Sequence, residues 1–523
     1  MKPFKQSRAR GDFGTPRHKR HRLNLHYPTF ESIRKLLPLV NFPAVLRIIG
    51  LLLLIEGGFL VVPTVVCASY CEGDFEGFLV ATAAALLGGS LMAFGIHPQT
   101  PNMGKREGFL LTALVWVFFS AVGMIPFMLM RHHPLGVSDA FFEAMSGFTT
   151  TGASVMDSVA GLSHGIILWR ALMQWIGGMG IILFTLAVIP MLNRSGGIQM
   201  FNAEVTGITH DKLRPRISQT AKSLWGIYSA LTLTLFALLA AGPMDGFTAV
   251  CYAFSTMSTG GFATTDAGLE LWDSDYAMVV VMAFMFLGGV SFTLLYRLVH
   301  GEFRKLWAND VFRYYLGIIG VFYVLFVIAI IRAGHPLTLR TLAIEPLFQI
   351  ISFISSTGYT VPTFPTWGTF VLAMVFILLF FGACAGSTSG GAKIDRLIYL
   401  LKNCRNEIMR TIYPNNILTV RVNGHVIPHD IIAKVVAFLC LYVLIIVVGG
   451  IVLCGMRVPL IDAFFTAFTC ISNTGLPTGI TGYGQNFGII PDAGKWVLAI
   501  IMLIGRLELF TVLILFSPSF WRK

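Results

Sequence analysis

Charge is what this chain has least of. Asp, Glu, Lys and Arg together make up 12% of 523 residues, too few to cover a soluble protein of that length. Inside the apolar stretches carboxylates are scarcer still, with Glu56, Glu143 and Glu508 the main ones. The eight cysteines fall into no metal-ligand spacing. Cys251, Cys384, Cys440, Cys454 and Cys470 sit in or beside apolar runs as packing residues, whereas Cys67 and Cys71 lie together and leave a bridge open in an oxidising compartment. His97, His132, His133 and His164 do not cluster with carboxylates at metal spacing, and no Ser/His/Asp or Cys/His arrangement stands out. We therefore expect no enzyme. The first apolar run starts too late and is too long for a cleavable signal peptide.

What is present is apolar length. Hydrophobic residues are 55% of the chain and the mean hydropathy is +0.73, which places it in a bilayer. About 20 helical residues cross the hydrocarbon, and runs of that order fall near 46–66, 78–96, 109–130, 166–190, 223–242, 277–296, 314–331, 369–385, 431–454 and 495–516. Between the spans of the last four pairs lie apolar segments too short to cross, near 139–149, 245–257, 344–355 and 461–471, which predict re-entrant helices. Each directs a partly negative C-terminus inward, an end that favours cations.

Basic residues set the orientation. Arg8, Arg10, Arg17, Lys19, Arg20 and Arg22 share one side with Lys105, Arg106, Arg194, Lys212, Arg214, Arg216 and Lys222. Arg297, Arg304, Lys305, Arg313, Lys393, Arg396, Lys402, Arg405, Arg410 and Arg421 follow on that side, ending with Arg522 and Lys523. The opposite loops carry Glu72, Asp74, Glu76, Asp266, Glu270, Asp273 and Asp275. By the positive-inside rule the basic side and both termini are cytoplasmic. The net charge of +12 is then mostly topology. Residues 1–26 read as a tail against anionic lipid, with no folded module or aromatic interleaving to suggest nucleic acid.

Each short segment is followed by a glycine loop: Thr149-Thr150-Thr151-Gly152-Ala153, Ser258-Thr259-Gly260-Gly261-Phe262, Ser356-Thr357-Gly358-Tyr359 and Ser472-Asn473-Thr474-Gly475-Leu476-Pro477. The glycines recur at intervals of roughly 100 to 120 residues, the mark of one unit used four times. One such loop carries little meaning. Four around one axis make an ion pore, because backbone carbonyls and Thr or Ser hydroxyls can replace the water of a monovalent cation, and Gly permits the φ angles that aim them. Non-helical backbone at membrane depth is tolerated where it lines water.

Those loops, with Asp139-Ala140-Phe141-Phe142-Glu143, Gln174-Trp175-Ile176-Gly177-Gly178-Met179-Gly180-Ile181, Arg214-Pro215-Arg216-Ile217, Gly382 to Gly391, Gly505-Arg506-Leu507-Glu508 and Pro518-Ser519-Phe520-Trp521-Arg522, resemble the TrkH/KtrB/HKT cation transporter family. Within it the chain looks like the transmembrane subunit of Trk potassium uptake systems, from about residue 43 to the end. The resemblance implies an all-α polytopic membrane protein of the cytoplasmic (inner) membrane. Two leading transmembrane helices would precede four M1–P–M2 repeats around one pseudo-fourfold ion pore. Boundaries would fall at 1–42 (tail), 43–100 (leading pair), 101–205, 206–300, 301–425 and 426–523 (the four repeats). It further implies a homodimer, potassium as the transported ion, and a cytoplasmic TrkA-like nucleotide-binding ring protein as regulator.

Carried over, the K+ positions are Thr150, Thr151, Gly152, Ser258, Thr259, Gly260, Ser356, Thr357, Gly358, Asn473, Thr474 and Gly475. The fourth loop departs from the Asn-Asn-Leu-Gly-Pro-Gly form associated with the family. Gly386, Ser387, Thr388, Ser389, Gly390 and Gly391 break the end of an apolar run, and in the family this is an intramembrane gate loop with a nearby Arg, here Arg506. An Arg in a membrane segment is expensive and usually functional, although pairing with Glu508 or lipid headgroups would also account for it. The same stretch imitates a phosphate loop, but Ala392 separates Gly391 from Lys393 and no strand precedes it. Gly177-Gly178 and Gly288-Gly289 also read as close helix packing. Rival functions are a Na+- or H+-coupled K+ symporter, which needs titratable groups along its path, and an intramembrane enzyme or scaffold, which needs no glycine loops.

Overall fold

Asn41 opens the first helix by accepting the N–H of Ala44 on its side chain at 3.2 Å, and Pro43 occupies the first turn, where a missing N–H costs nothing. The structure is a computed structural model describing residues 40–98, 103–192, 217–416, 418–476 and 486–522. The basic tail before residue 40, Arg194, Lys212, the Arg214-Pro215-Arg216 motif and Pro477 lie outside the described residues.

Helices α1 (Phe42–Ser69) and α2 (Phe75–Gly95) form the leading pair. They approach closely at two glycines: a Cβ on Gly50 would lie 2.7 Å from the Gly89 carbonyl, and one on Gly89 would lie 2.9 Å from the Gly50 carbonyl. Small residues let helices meet in a membrane, where packing rather than water exclusion drives association. Gly50→Val is therefore expected to lower the thermal unfolding midpoint in detergent by the equivalent of about 1–3 kcal/mol; an unchanged midpoint would contradict this packing.

Four groups follow. Helices α3 (Lys105–Gly123), α4 (Val137–Phe148) and α5 (His164–Leu192) make the first. Next come α6 (Ile217–Ala240), α7 (Gly246–Met257), α8 (Asp275–Gly289) and α9 (Phe292–Val299). The third holds α10 (Asp310–Arg332), α11 (Glu345–Ile354), α12 (Thr369–Phe381) and α13 (Ile394–Ile412). The fourth holds α14 (His429–Gly455), α15 (Leu460–Ile471), α16 (Asp492–Arg506) and α17 (Phe510–Leu513). The leading pair is pinned to the first group outside the spans, where Glu72 accepts from the Nδ1 and backbone N–H of His164, each at 2.7 Å. A short antiparallel ribbon pairs Arg421 with Val426.

Among the described residues six helices are long and apolar enough to cross a membrane, or eight if each of two bent pairs is one span. Three expected spans are not continuous helices. The run 277–296 turns by 109° between α8 and α9, and 495–516 turns by 115° after Arg506. The run 369–385 stops at Phe381, where Gly382 takes φ +62°. Backbone freed by these breaks must be satisfied at depth. The break after α8 and the 382–393 loop satisfy each other: Phe292 donates to the Gly386 carbonyl at 3.0 Å, while Cys384 and Thr388 donate to the Gly289 and Gly288 carbonyls at 3.1 and 3.3 Å.

Candidate ion pathway

Helices α4, α7, α11 and α15 end in the same way. In the first, the N–H of Thr150 bonds to the Gly147 carbonyl and that of Thr151 to Ser146; the second repeats this with Thr259 to Thr256 and Gly260 to Ser255. The third uses Ser356 to Phe353 and Thr357 to Ser352, and the fourth Asn473 to Cys470 and Thr474 to Thr469. Paired bonds of this kind form a Schellman ending, whose left-handed residue is usually Gly. Here it is Thr150, Thr259, Ser356 and Asn473, at φ 53°, 53°, 57° and 51°. A non-Gly residue in that region is strained and persists where its surroundings over-determine it.

Two residues on, each chain turns left-handed again at Gly152, Gly261, Gly358 and Gly475, with φ 80°, 84°, 86° and 60°. This register corrects the second loop. Gly261, rather than the expected Gly260, is the geometric equivalent of Gly152, and Ser258 stands one place before the left-handed residue.

The loops close on one another. A Cβ on Gly152 would strike the carbonyl of Gly260, one on Gly261 that of Thr357, one on Gly358 that of Thr474, and one on Gly475 that of Thr151. Each glycine backs onto the next loop, and the fourth returns to the first. Thr150, Thr151, Ser258, Thr259, Ser356, Thr357, Asn473 and Thr474 are all buried. Asn473 bridges two quarters, donating from Nδ2 to Thr151 Oγ1 and to the Met502 carbonyl, both at 3.0 Å.

Behind the ring stands a buried ion pair that the sequence reading missed. Arg170 and Glu143 are 2% and 0% exposed and meet at 2.9 Å. Glu143 also accepts from Ser154 Oγ at 3.1 Å and the Val155 N–H at 2.9 Å, so it holds the extended segment leaving the first loop. The Arg170 guanidinium donates to the Ala263 carbonyl and stacks 4.1 Å from the Phe262 ring centroid, which ties that segment to the second loop. The available signal was Arg170 itself, a charge inside the run 166–190. In the third quarter Gln349 does the comparable work, donating to the Tyr359 carbonyl and accepting from Val361.

The 382–393 loop lies directly under the ring. Ser387, Thr388, Ser389 and Gly390 are buried, Gly391 is half-buried and Gly386 is exposed. The Gly390 N–H donates to Ser356 Oγ at 2.5 Å, Thr388 Oγ1 is 3.4 Å from Thr259 Oγ1, and a Cβ on Gly390 would strike the Ser472 carbonyl. The segment thus reaches three of the four quarters. Arg506, 5% exposed, completes the set: Nη1 donates to the Thr388 carbonyl at 2.8 Å and Nη2 to the Gly177 carbonyl at 3.0 Å. Glu508 forms its ion pair with Arg396 at 2.5 Å, not with Arg506. Lys393 adds a second buried cation, bonded to the Ser389 carbonyl.

Residues 78–523 match the family model for TrkH, described as a cation transport protein. The chain belongs to the TrkH family. It is 33% identical over 488 residues to the Trk system potassium uptake protein TrkH of Escherichia coli K12, covering 92% of this chain and 100% of that relative. It is 31% identical over 466 residues to TrkG of the same organism, covering 88% and 95%. The crystal structure of the potassium transporter TrkH from Vibrio parahaemolyticus superposes with a TM-score of 0.82 at 31% identity, over 92% of this chain and all of that one. TrkH family members are multi-pass membrane proteins, and the apolar helices of this chain fit that description.

The structure brings together all twelve residues expected at the K+ positions, with the second-loop register moved by one. Of the expected gate residues, Thr388 and Gly390 lie against them and Arg506 is tied to Thr388, whereas Gly386 faces Ser291 and Gly391 packs on Gly382. Gly177 and Gly288 do serve close packing: a Cβ on Gly177 would strike the Phe148 carbonyl, and one on Gly288 would meet Thr259 Cγ2 at 3.0 Å. Packing and site are here the same thing, since Gly177 also gives its carbonyl to Arg506. Cys67 is buried and Cys71 exposed, and both are free thiols.

Proposed function

We propose that this chain takes up potassium across the cytoplasmic membrane through a pore whose filter is the ring of four glycine loops. The closed sequence of glycines, each backed onto the next loop's carbonyl, carries the proposal. Carbonyls held in this way replace the hydration shell of K+, and the number and field of such dipoles set the preference over Na+. The short helices aim their C-terminal ends at the ring and favour a cation there.

Below the filter, Gly386 to Gly391 act as the gate. Thr388 and Gly390 obstruct the path from the cytoplasmic side, and Arg506 both pins the obstruction and opposes a cation. Opening requires the loop to release Arg506, and a cytoplasmic TrkA-like nucleotide-binding ring protein bound to the basic loops is the regulator that supplies this. The chain works as a homodimer in the inner membrane with both termini in the cytoplasm.

Uptake of Rb+ by bacterial cells lacking other potassium uptake routes tests this reading. Cells expressing the chain together with such a ring protein are expected to accumulate Rb+ and to be inhibited by K+ far more than by Na+. Accumulation equally inhibited by Na+ would contradict a potassium filter.

A further inference from the structure

The second loop differs from the others at the position before its left-handed glycine. Three loops have Thr there, and each Thr hydroxyl bonds to a hydroxyl two residues earlier: Thr151 to Thr149 at 2.8 Å, Thr357 to Ser355 at 2.7 Å and Thr474 to Ser472 at 3.0 Å. The second loop keeps the earlier hydroxyl, Ser258, but has Gly260 in place of Thr. Gly260 is not among the residues with positive φ, so its backbone conformation does not demand glycine. Something else does: the three atoms nearest a Cβ built there are Cδ, Oε1 and Nε2 of Gln174.

Gln174 lies on α5, 86 residues away in sequence, and is fully buried. Its Nε2 donates to the Gly260 carbonyl at 2.7 Å. Its Oε1 accepts from Ser255 Oγ at 2.7 Å and from the Phe262 N–H at 3.2 Å. One carboxamide therefore holds the loop on both sides of Gly261. The orientation is forced, because a backbone carbonyl must receive a donor and a backbone N–H an acceptor.

The same register position on other helices holds a different residue. Gly177, Gly288 and Gly505 each face the carbonyl of the last residue of a short helix, Phe148, Met257 and Ile471 respectively. Counting back three from each gives Gln174, Met285 and Met502, all buried. Two of these quarters thus have Met on the supporting helix, and the odd one has Gln. The odd Gln faces the odd Gly.

We propose that Gln174 is a positioning residue of the filter, filling from a neighbouring helix the space beside Gly260 where the other three loops carry a Thr side chain. Gly260 and Gln174 are one unit, interchangeable with Thr and Met. This rests on the filter reading above and adds a residue to it.

The test is a four-protein cycle on the purified full-length chain: wild type, Gln174→Met, Gly260→Thr and the double variant. Each is assayed for K+ against Na+ flux in proteoliposomes and for thermal unfolding in detergent. Gln174→Met leaves the Gly260 carbonyl and the Phe262 N–H without partners, and the flux ratio is expected to fall about fivefold, the scale of one net hydrogen bond. Gly260→Thr is expected to lose the preference and the stability together, because Thr and Gln174 compete for one space. The double variant recreates the Thr and Met form and is expected to return within about twofold of wild type, since two residues sharing one space couple instead of adding.

A double variant no better than the worse single one would overturn the proposal, as would a tolerated Gly260→Thr. Recovery of stability without recovery of the flux ratio would reduce Gln174 to packing and overturn its positioning role. A wild type that carries K+ and Na+ alike would sink the filter reading itself, and unfolding temperatures would still decide whether the two residues share one space.

Discussion

Replacing Arg506 by Ala is expected to raise K+ and Rb+ flux through the isolated chain by more than about tenfold. The guanidinium is buried beneath the ring, and among the described residues no carboxylate pairs with it, Glu508 being engaged by Arg396 instead. Its ligands are two carbonyls, Thr388 and Gly177. Its removal has two effects. A unit charge close to a cation path at an effective dielectric of about 20 raises the ion by a few kcal/mol, and about 1.4 kcal/mol is already tenfold. The 382–393 loop also loses the donor that holds the Thr388 carbonyl, so the loop is freer to move. Arg506→Lys keeps the charge but not the two-pronged geometry, and an intermediate flux is expected. Flux in proteoliposomes unchanged by either substitution would show that neither the charge nor the tie limits passage.

The largest loss of stability is expected from breaking the Glu143 and Arg170 pair. Removing one partner leaves an uncompensated buried charge, which costs about 3 to 5 kcal/mol. Arg170→Leu strands Glu143 against Ser154 and Val155, and a large drop in the detergent unfolding midpoint follows. Replacing both residues with Leu removes the stranded charge, so much of the stability returns. Flux is not expected to return with it. The double change still deprives the Val155 N–H of its acceptor and the Ala263 carbonyl of its donor, and those groups hold the segments leaving the first and second loops. If the double variant regained full potassium flux, the pair would be structural only.

Much of this was legible from composition. Residues 245–257 and 461–471 were expected as short helices, and α7 and α15 span Gly246–Met257 and Leu460–Ile471. Apolar length, a polar residue at each end and a Thr-Gly pair suffice for that. The second loop was misread by one place because Ser258-Thr259-Gly260-Gly261 offers two glycines, and composition does not say which one turns left-handed. The breaks after Gly289 and Arg506 were invisible for a different reason. Hydropathy continues across both, and the bonds that tolerate the first break come from a loop near residue 386, distant in sequence. Arg170 and Gln174 were passed over because their partners lie 27 and 86 residues away. A lone Arg in an apolar run was the one warning.

The central claim is that four chemically unlike loops form a single selective ring. It is tested most directly by K+, Rb+ and Na+ flux in proteoliposomes of the chain carrying Gly152→Ser, Gly261→Ser, Gly358→Ser or Gly475→Ser, one at a time. Every one of these glycines has positive φ and abuts the next loop's carbonyl, so each substitution strains its own turn and displaces its neighbour. Loss of K+ and Rb+ preference in all four is expected, the fourth loop included. A Gly475→Ser variant that keeps wild-type preference while Gly152→Ser loses it would make the fourth loop a spacer and contradict a ring of four.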